Sequence, residues 1–395
     1  MNKQTIIIAF GGASPEHEVS VLTAMQAMAA LEESIYETVP LYISKSGIWY
    51  TGDELKDLKN YENLQKLTNK SKQCSFAHQS DGKPVLRTYK KRLFSSPDEI
   101  PVYAVLAAFH GANGENGAFQ GVCEMFNIPY TGSGIMASSI GMDKVTTKKI
   151  CRSESIPVVD GIDFFESDWV DDQETIVRDI EKMAYPVVIK PVHLGSSIGV
   201  EVVDTRDDLI RAVETGFRYD AQILVEKAIA PLIEINCSVM GTPKSCEVSV
   251  CERPMGLKEI LSFEDKYQRE SSSGKGMASA DRIIPADIDE ELAQNIQNSA
   301  KKVFKTLHAS GLARLDFLVH AETEEYYFNE INTIPGSFSF YLWKESGLQF
   351  NELLEKLIQT ALVQHQEKNG RIQSYETNLL SQKAVKGMKG LKGSK

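Results

Sequence analysis

The sequence predicts an α/β protein whose amino end is an open α/β domain. Two observations carry that reading. Apolar runs at residues 5–10 and 102–109 are followed by Gly11 and by His110-Gly111, and each leads into a helical pattern, at residues 19–31 and 118–127. Continuous apolar runs of this length read as parallel strands buried on both faces. A third observation sets the rest of the chain apart: residues 313–332 read as a β-hairpin with charged side chains opposed across it.

With 395 residues the chain can hold two or three domains and a large core. Apolar residues at 42% and charged residues at 25% match a globular protein. A net charge of −11 and a pI near 5.3 argue against a nucleic-acid partner. The six cysteines, Cys74, Cys123, Cys151, Cys237, Cys246 and Cys251, include no C-x-x-C pair, so neither zinc nor a disulfide framework is expected. The opening MNKQTIIIAFGG has too short an apolar run for a signal peptide, and no segment could span a membrane. A reducing cytoplasm is the expected location.

The first strand, 5–10, runs into Gly11-Gly12-Ala13-Ser14 and then a helix, which offers free backbone N–H groups to an anion or ligand. It is not a dinucleotide fingerprint, because G-x-G-x-x-G is absent. Glu16 stands at the mouth of that turn, and a favourable helix-start charge would explain it equally well. Residues 37–43 form a second strand, whereas 50–101 are polar and weakly patterned. His110 follows the strand at 102–109, on the side where open α/β sheets bind ligands.

Residues 140–152 read as one helix carrying Lys144. A strand at 185–190 ends in Lys190; then come the loop VHLGSSIGV and a strand at 200–203. Such a Gly/Ser loop, with Ser196 and Ser197, can fold over phosphates, although it lacks the G-K-[ST] of a P-loop. A strand at 222–229 could present backbone groups to a purine. The long Ser/Gly-rich stretch 262–282, with Lys266 and Tyr267 near its start, is either a lid or disordered. A helix at 289–308 precedes the hairpin, and another covers 350–366. The tail repeats Lys-Gly and lacks the apolar content to fold.

In the hairpin, a turn centred on Thr323 sets Asp316 opposite Glu330 and Arg314 opposite Asn332, all on one face. The other face would carry Leu315, Phe317 and Val319 against Tyr327 and Ile331. Opposed carboxylates repel, and a hard cation such as Mg²⁺ would relieve them. A solvated polar face is the competing explanation.

Taken together, GGASPEHEVS, FHGANGENGAFQG, IPYTGSG, MDK, YPVVIKPVHLGSSIGV, ARLDF and NEINTIPG occur in the order found in the D-alanine–D-alanine ligases of the ATP-grasp superfamily. The resemblance runs from Ile6 to about Leu357. It implies an amino-terminal open α/β domain (residues 1–135), a two-lobed ATP-grasp fold (136–230 and 231–365) and a disordered basic tail (366–395). It also implies a cytoplasmic ligase that joins two D-alanines for peptidoglycan, using ATP and Mg²⁺ or Mn²⁺ and acting as a homodimer on small molecules alone. Lys144 and Lys190 resemble the phosphate-binding lysines, and Ser196, Ser197 and Lys266 belong to the same nucleotide set. Glu226, Lys227 and Ile229 resemble the adenine-binding strand end, and Glu234 the ribose-binding acid. Asp316, Glu330 and Asn332 match the metal ligands. Glu16 resembles the group that receives the first substrate's ammonium, with Ser196 and Tyr267 as its partners and His110 nearby. Arg314 and the Gly336 N–H resemble an oxyanion-binding pair. One departure stands out: Tyr341 occupies the place of a serine that helps bind the acceptor carboxylate, and the path to Gly347 looks about four residues short. A ligase for a different amino-acid or hydroxy-acid pair is the alternative reading.

Overall fold

The computed structural model describes residues 3–89, 97–255, 282–372 and 374. Three main sheets follow one another along the chain, each with its own apolar core.

In the amino-terminal sheet, Gln4–Gly11 lies between Tyr36–Ile43 and Ala104–Ala107, parallel to both. Ile6 to Phe10 are completely buried, which explains why this strand is uniformly apolar rather than alternating. Helix His17–Ala30 packs on the sheet through Val21, Ala24 and Ala27. Residues 50–101, weakly patterned in the sequence, extend this sheet by antiparallel strands Trp49–Thr51, Lys72–His78, Pro84–Thr88 and Glu99–Pro101. Two of these have only three residues, too few to show a period. The Asp81-Gly82 turn between the longer pair was the legible signal for a hairpin.

The expected single helix over 140–152 is instead two, Ile135–Met142 and Lys144–Ser153. Asp143 breaks them by capping the second: its carboxylate accepts from Thr146 N at 2.8 Å. The middle sheet is antiparallel throughout, in the order Glu201–Val203, Val187–Pro191, Gln222–Lys227, Gly161–Phe165. The carboxyl-terminal sheet runs Cys246–Val248, Leu232–Gly241, Gly311–His320, Tyr326–Asn332. Helix Glu290–Thr306 covers it with Leu292, Ile296, Ala300 and Val303, spaced at 4, 4 and 3 residues on one face. The last helix, Phe350–Asn369, returns to the amino-terminal sheet through Leu353, Leu354, Leu357 and Ile358.

The hairpin register holds at its functional end, where Arg314 faces Asn332 and Asp316 faces Glu330. Beyond Asp316 the pairing slips by one residue, so Phe317 meets Phe328, not Asn329. Asn329 is the extra residue of a β-bulge. The core partners are therefore Phe328 and Tyr326, and Tyr327, expected inside, is only partly buried.

Candidate active site

At the carboxyl ends of the parallel strands, Glu16 precedes helix His17–Ala30 and is buried. Ser196 donates from Oγ to Glu16 Oε1, joining the amino-terminal domain to the loop after Val187–Pro191. A side chain at Gly111 would put Cβ 2.4 Å from Ser14 Oγ and 2.9 Å from Glu16 Oε2, so only glycine fits there. Ser196 and Ser197 both have left-handed backbones, at φ 54° and 57°. Successive residues of that kind turn N–H groups inward, the arrangement that binds anions, and the strain concentrates where a ligand is expected.

His110 is completely enclosed. Its Nδ1 lies 2.9 Å from the Ile334 carbonyl, which can only accept, so Nδ1 carries the proton. Nε2 then accepts from Thr23 Oγ1 at 2.8 Å, and Thr23 Oγ1 accepts from Ser337 N at 3.1 Å. Burial pushes the His110 pKa down to about 4, so the ring is neutral. Glu115, from the same loop, accepts from Gly111 N at 2.7 Å and Ile334 N at 2.9 Å. Burial, with the charge of Glu16, raises its pKa to about 8. These contacts fix the chain next to Gly336 against the amino-terminal sheet.

Between the middle and carboxyl-terminal sheets lies a cavity of about 290 Å³. Lys144, Lys190, Ser197, Glu226, Lys227, Ile229, Glu234 and Glu330 all line it. Val188, Val200, Leu232 and Leu318 supply apolar walls suited to a planar base. Lys190, on strand Val187–Pro191, is buried and donates to Glu226 Oε2 at 2.6 Å and Asn329 Oδ1 at 2.9 Å. Lys148, four residues after Lys144, donates to the other Glu226 oxygen. Burial favours the neutral form of Glu226, but Lys148 and Lys190 outweigh it and hold its pKa at about 2. Burial in turn lowers Lys148 to about 8. The ammonium of Lys227 points away, to the carbonyls of Ala184 (2.9 Å) and Tyr185 (3.3 Å).

At the hairpin, Arg314 binds Asp316 through two bonds of 2.7 Å, and Asn332 Nδ2 donates to Asp316 Oδ2 at 3.1 Å. Burial opposes the Arg314 charge; Asp316 more than compensates and holds its pKa well above the ordinary value. Glu330 lies 3.3 Å from Lys144 Nζ. Cations of the protein itself thus offset the opposed carboxylates. Among the described residues no group of three or more His, Cys, Asp or Glu gathers as a metal site. The donor set of two carboxylates and one amide is nonetheless all-oxygen and fits a hard cation that keeps water and phosphate ligands.

Tyr341 forms a buried wall beside these groups. Its hydroxyl donates to Glu252 Oε1 at 3.3 Å, and the Arg282 guanidinium lies 3.9 Å from its ring centre. Arg282 pairs with Glu252 at 2.7 Å. Burial and Glu252 push the Tyr341 pKa up to about 12. Just before it, Ser337, Phe338 and Ser339 all have left-handed backbones, at φ 51°, 53° and 45°. Lys266 and Tyr267 lie outside the described residues, as do most of the 262–282 stretch and the tail from residue 375.

Sequence reasoning missed Lys148, Asn329, Glu115, Thr23, Glu252 and Arg282. Lys148 had a signal, since it shares a helix face with Lys144 at i+4. Asn329 had none, because the bulge that turns it toward Lys190 breaks the alternation it would be read from.

Two antiparallel lobes enclosing a lysine-lined cleft, behind an open α/β domain, make this an ATP-grasp fold. The solved D-alanine–D-alanine ligase of Coxiella burnetii is similar over 98% of this chain and 100% of its own, with a TM-score of 0.77 at 28% identity. A D-Ala:D-Ser ligase from Enterococcus faecalis is similar over 91% of this chain and 100% of its own, with a TM-score of 0.74 and 28% identity. The family described as D-ala D-ala ligase N-terminus matches residues 5–133, and its C-terminus counterpart matches 150–359. The chain is 39% identical to the D-alanine–D-alanine ligase of Thermosipho melanesiensis, over 96% of this chain and 99% of the relative. It belongs to the D-alanine–D-alanine ligase family.

Proposed function

We propose that this enzyme joins two D-alanines at the expense of ATP, through an acyl phosphate, for peptidoglycan precursors. The observation that carries the reading is the single cleft gathering Lys144, Lys190, Glu226, Ile229, Glu234 and Glu330 between two sheets. In this reading the adenine lies at the strand end 226–229, its ribose against Glu234, and the phosphates between Lys144, Lys190 and the backbone of residues 195–199. Glu16 takes the ammonium of the first D-alanine, with Ser196 and Tyr267 completing the network and His110 holding the loop behind it. The substrate carboxylate attacks the γ-phosphorus, ADP leaves, and the lysines neutralise the charge that spreads over the transferring group. Asp316, Glu330 and Asn332 would hold Mg²⁺ or Mn²⁺, which supplies charge neutralisation for the phosphates. The deprotonated amine of the second D-alanine then attacks the acyl carbon. Arg314 and the Gly336 N–H receive the oxyanion, and its collapse expels phosphate while the attacking nitrogen gives up a proton to become the amide.

The domain limits 1–135, 136–230, 231–365 and 366–395, a cytoplasmic location and a homodimer complete the proposal. No helix among the described residues is long and apolar enough to cross a membrane. A second reading is favoured by the wall of Tyr341, Glu252 and Arg282: the acceptor is another D-amino acid or a hydroxy acid. The Tyr341 phenol has one proton to donate, and Glu252 receives it. Mass spectrometry of the product from ATP and saturating D-alanine separates the readings. D-alanyl-D-alanine supports the first. Its absence, with turnover on a different pair, rejects the first and keeps the mechanism.

A further inference from the structure

Helix Lys144–Ser153 and the loop after Val187–Pro191 meet at charged groups that the mechanism above leaves unused. The Nδ1 of His193 lies 3.0 and 3.1 Å from the two oxygens of Asp220, and Nε2 lies 3.8 Å from Asp143 Oδ2. The His193 backbone N–H also donates to Asp220 Oδ2, at 2.6 Å. Asp143 caps the helix, and Asp220 lies two residues before strand Gln222–Lys227 begins. A carboxylate hydrogen-bonded at Nδ1 and a second within ion-pair distance of Nε2 both favour the doubly protonated, cationic ring.

The neighbours of His193 are tied to the same helix. Lys144 N donates to Val192 O at 3.3 Å, and Lys144 Nζ donates to Leu194 O. Lys144 therefore touches the residues on both sides of His193, and the left-handed Ser196 and Ser197 follow two residues after Leu194. We propose that His193 is a positioning residue: its imidazolium, bridging Asp143 and Asp220, fixes the root of the 195–199 loop against Lys144 so that both meet the nucleotide phosphates together. This rests on the reading of Lys144 and the loop as the phosphate site.

The charged groups facing the ring are Asp143 from the helix cap and Asp220 from the turn before the strand, with Lys144 as the adjacent cation. The carboxylates of Asp143 and Asp220 raise the His193 pKa to about 9. The cation thus persists at neutral pH and is lost in alkaline solution. His193 is half-exposed, so each ion pair is modest and the effect belongs to ligand geometry more than to stability.

The test measures the affinity of the full-length enzyme for a β,γ-imido ATP analogue by calorimetry at pH 7.5 and pH 10, with melting temperature alongside. His193→Asn should weaken binding about tenfold at pH 7.5. His193→Arg, a cation at both pH values, should bind like the parent at pH 7.5 and lose less than the parent at pH 10. Parental affinity in His193→Asn overturns the proposal, whatever its melting temperature. So does His193→Arg as weak as His193→Asn, since charge would then not be the operative property. Lys190→Met serves as the control: if it keeps full analogue affinity, the phosphate-site reading itself has failed, independently of His193.

Discussion

Replacing Lys190 by methionine keeps most of the side-chain volume and removes the ammonium. In the fold that ammonium touches Glu226 at 2.6 Å and Asn329 at 2.9 Å, and Glu226 is almost wholly shielded from water. Taking one partner from a buried ion pair costs ~3–5 kcal/mol when the remaining charge is left alone. Glu226 keeps Lys148, so the expected loss of stability is smaller, about 1–3 kcal/mol. Turnover should fall further than stability. A preorganised charge at the transferring phosphoryl group is worth roughly 10²–10³ in rate. Urea unfolding reads the first quantity, and ADP release at saturating ATP and D-alanine reads the second. A folded Lys190→Met enzyme with near-parental turnover refutes the phosphate role. An unchanged urea midpoint refutes the energetic coupling to Glu226.

Asp316→Asn and Glu330→Gln should each raise the Mg²⁺ concentration needed for half-maximal rate about tenfold or more, as each removes a negative ligand; an unchanged requirement in both rejects the metal assignment. Without ligands the two should differ in stability: Asp316→Asn leaves the largely buried Arg314 without its carboxylate and should lower the urea midpoint, whereas Glu330→Gln should change it little. His110 has a pKa depressed to about 4, so the unfolded chain binds the extra proton between pH 6.5 and 4. Its contribution is full above pH 6.5 and is lost as pH falls toward 4, by up to about 3 kcal/mol. His110→Asn should flatten that part of a urea-midpoint profile, and an equal slope in the variant removes His110 as its cause. Deleting residues 383–395 should leave ADP release unchanged, because that Lys- and Gly-rich segment is too polar to pack; a large loss would mean that it docks at the site.

The parts of the fold legible in the sequence are those where burial is uniform. Ile6 to Phe10 and Ala104 to Ala107 are shielded on both faces, so apolar runs could be read without knowing any partner. The edge of the same sheet was illegible for the converse reason. Trp49–Thr51 and Glu99–Pro101 are too short to show alternation, and they join the sheet because Tyr36–Ile43 and Pro84–Thr88 offer edges to pair with. Asp143 shows a third case. Its residue type is a capping signal, but apolar spacing runs through it on both sides, and the cap that splits the helix prevailed over that spacing.

The site divides along a similar line, set by how far apart in the chain two partners stand. Arg314 and Asp316 are two residues apart on one strand, so strand geometry alone puts them on one face and makes the guanidinium the nearest counter-charge. Reading Asp316 only against Glu330 across the ladder overlooked that closer partner, and with it the reason two carboxylates can oppose each other in a folded, ligand-free hairpin. The His110, Thr23 and Ser337 chain is different in kind. Its members are separated by 87 and 314 residues, and each alone is an ordinary loop or helix side chain. What joins them is the closure of Gly336 and its neighbours onto the amino-terminal sheet, a tertiary fact with no local periodicity to announce it. Because His110 has only an acceptor within reach of Nδ1 and a hydroxyl at Nε2, protonating it would set a second N–H against Thr23 and force that hydroxyl to turn its own proton away from the ring. In the neutral ring Thr23 donates to His110 while accepting from Ser337 N, which ties the turn that begins at Gly336 to the amino-terminal domain. Under the proposed function, the histidine that the resemblance puts beside the first substrate would act through the backbone it anchors.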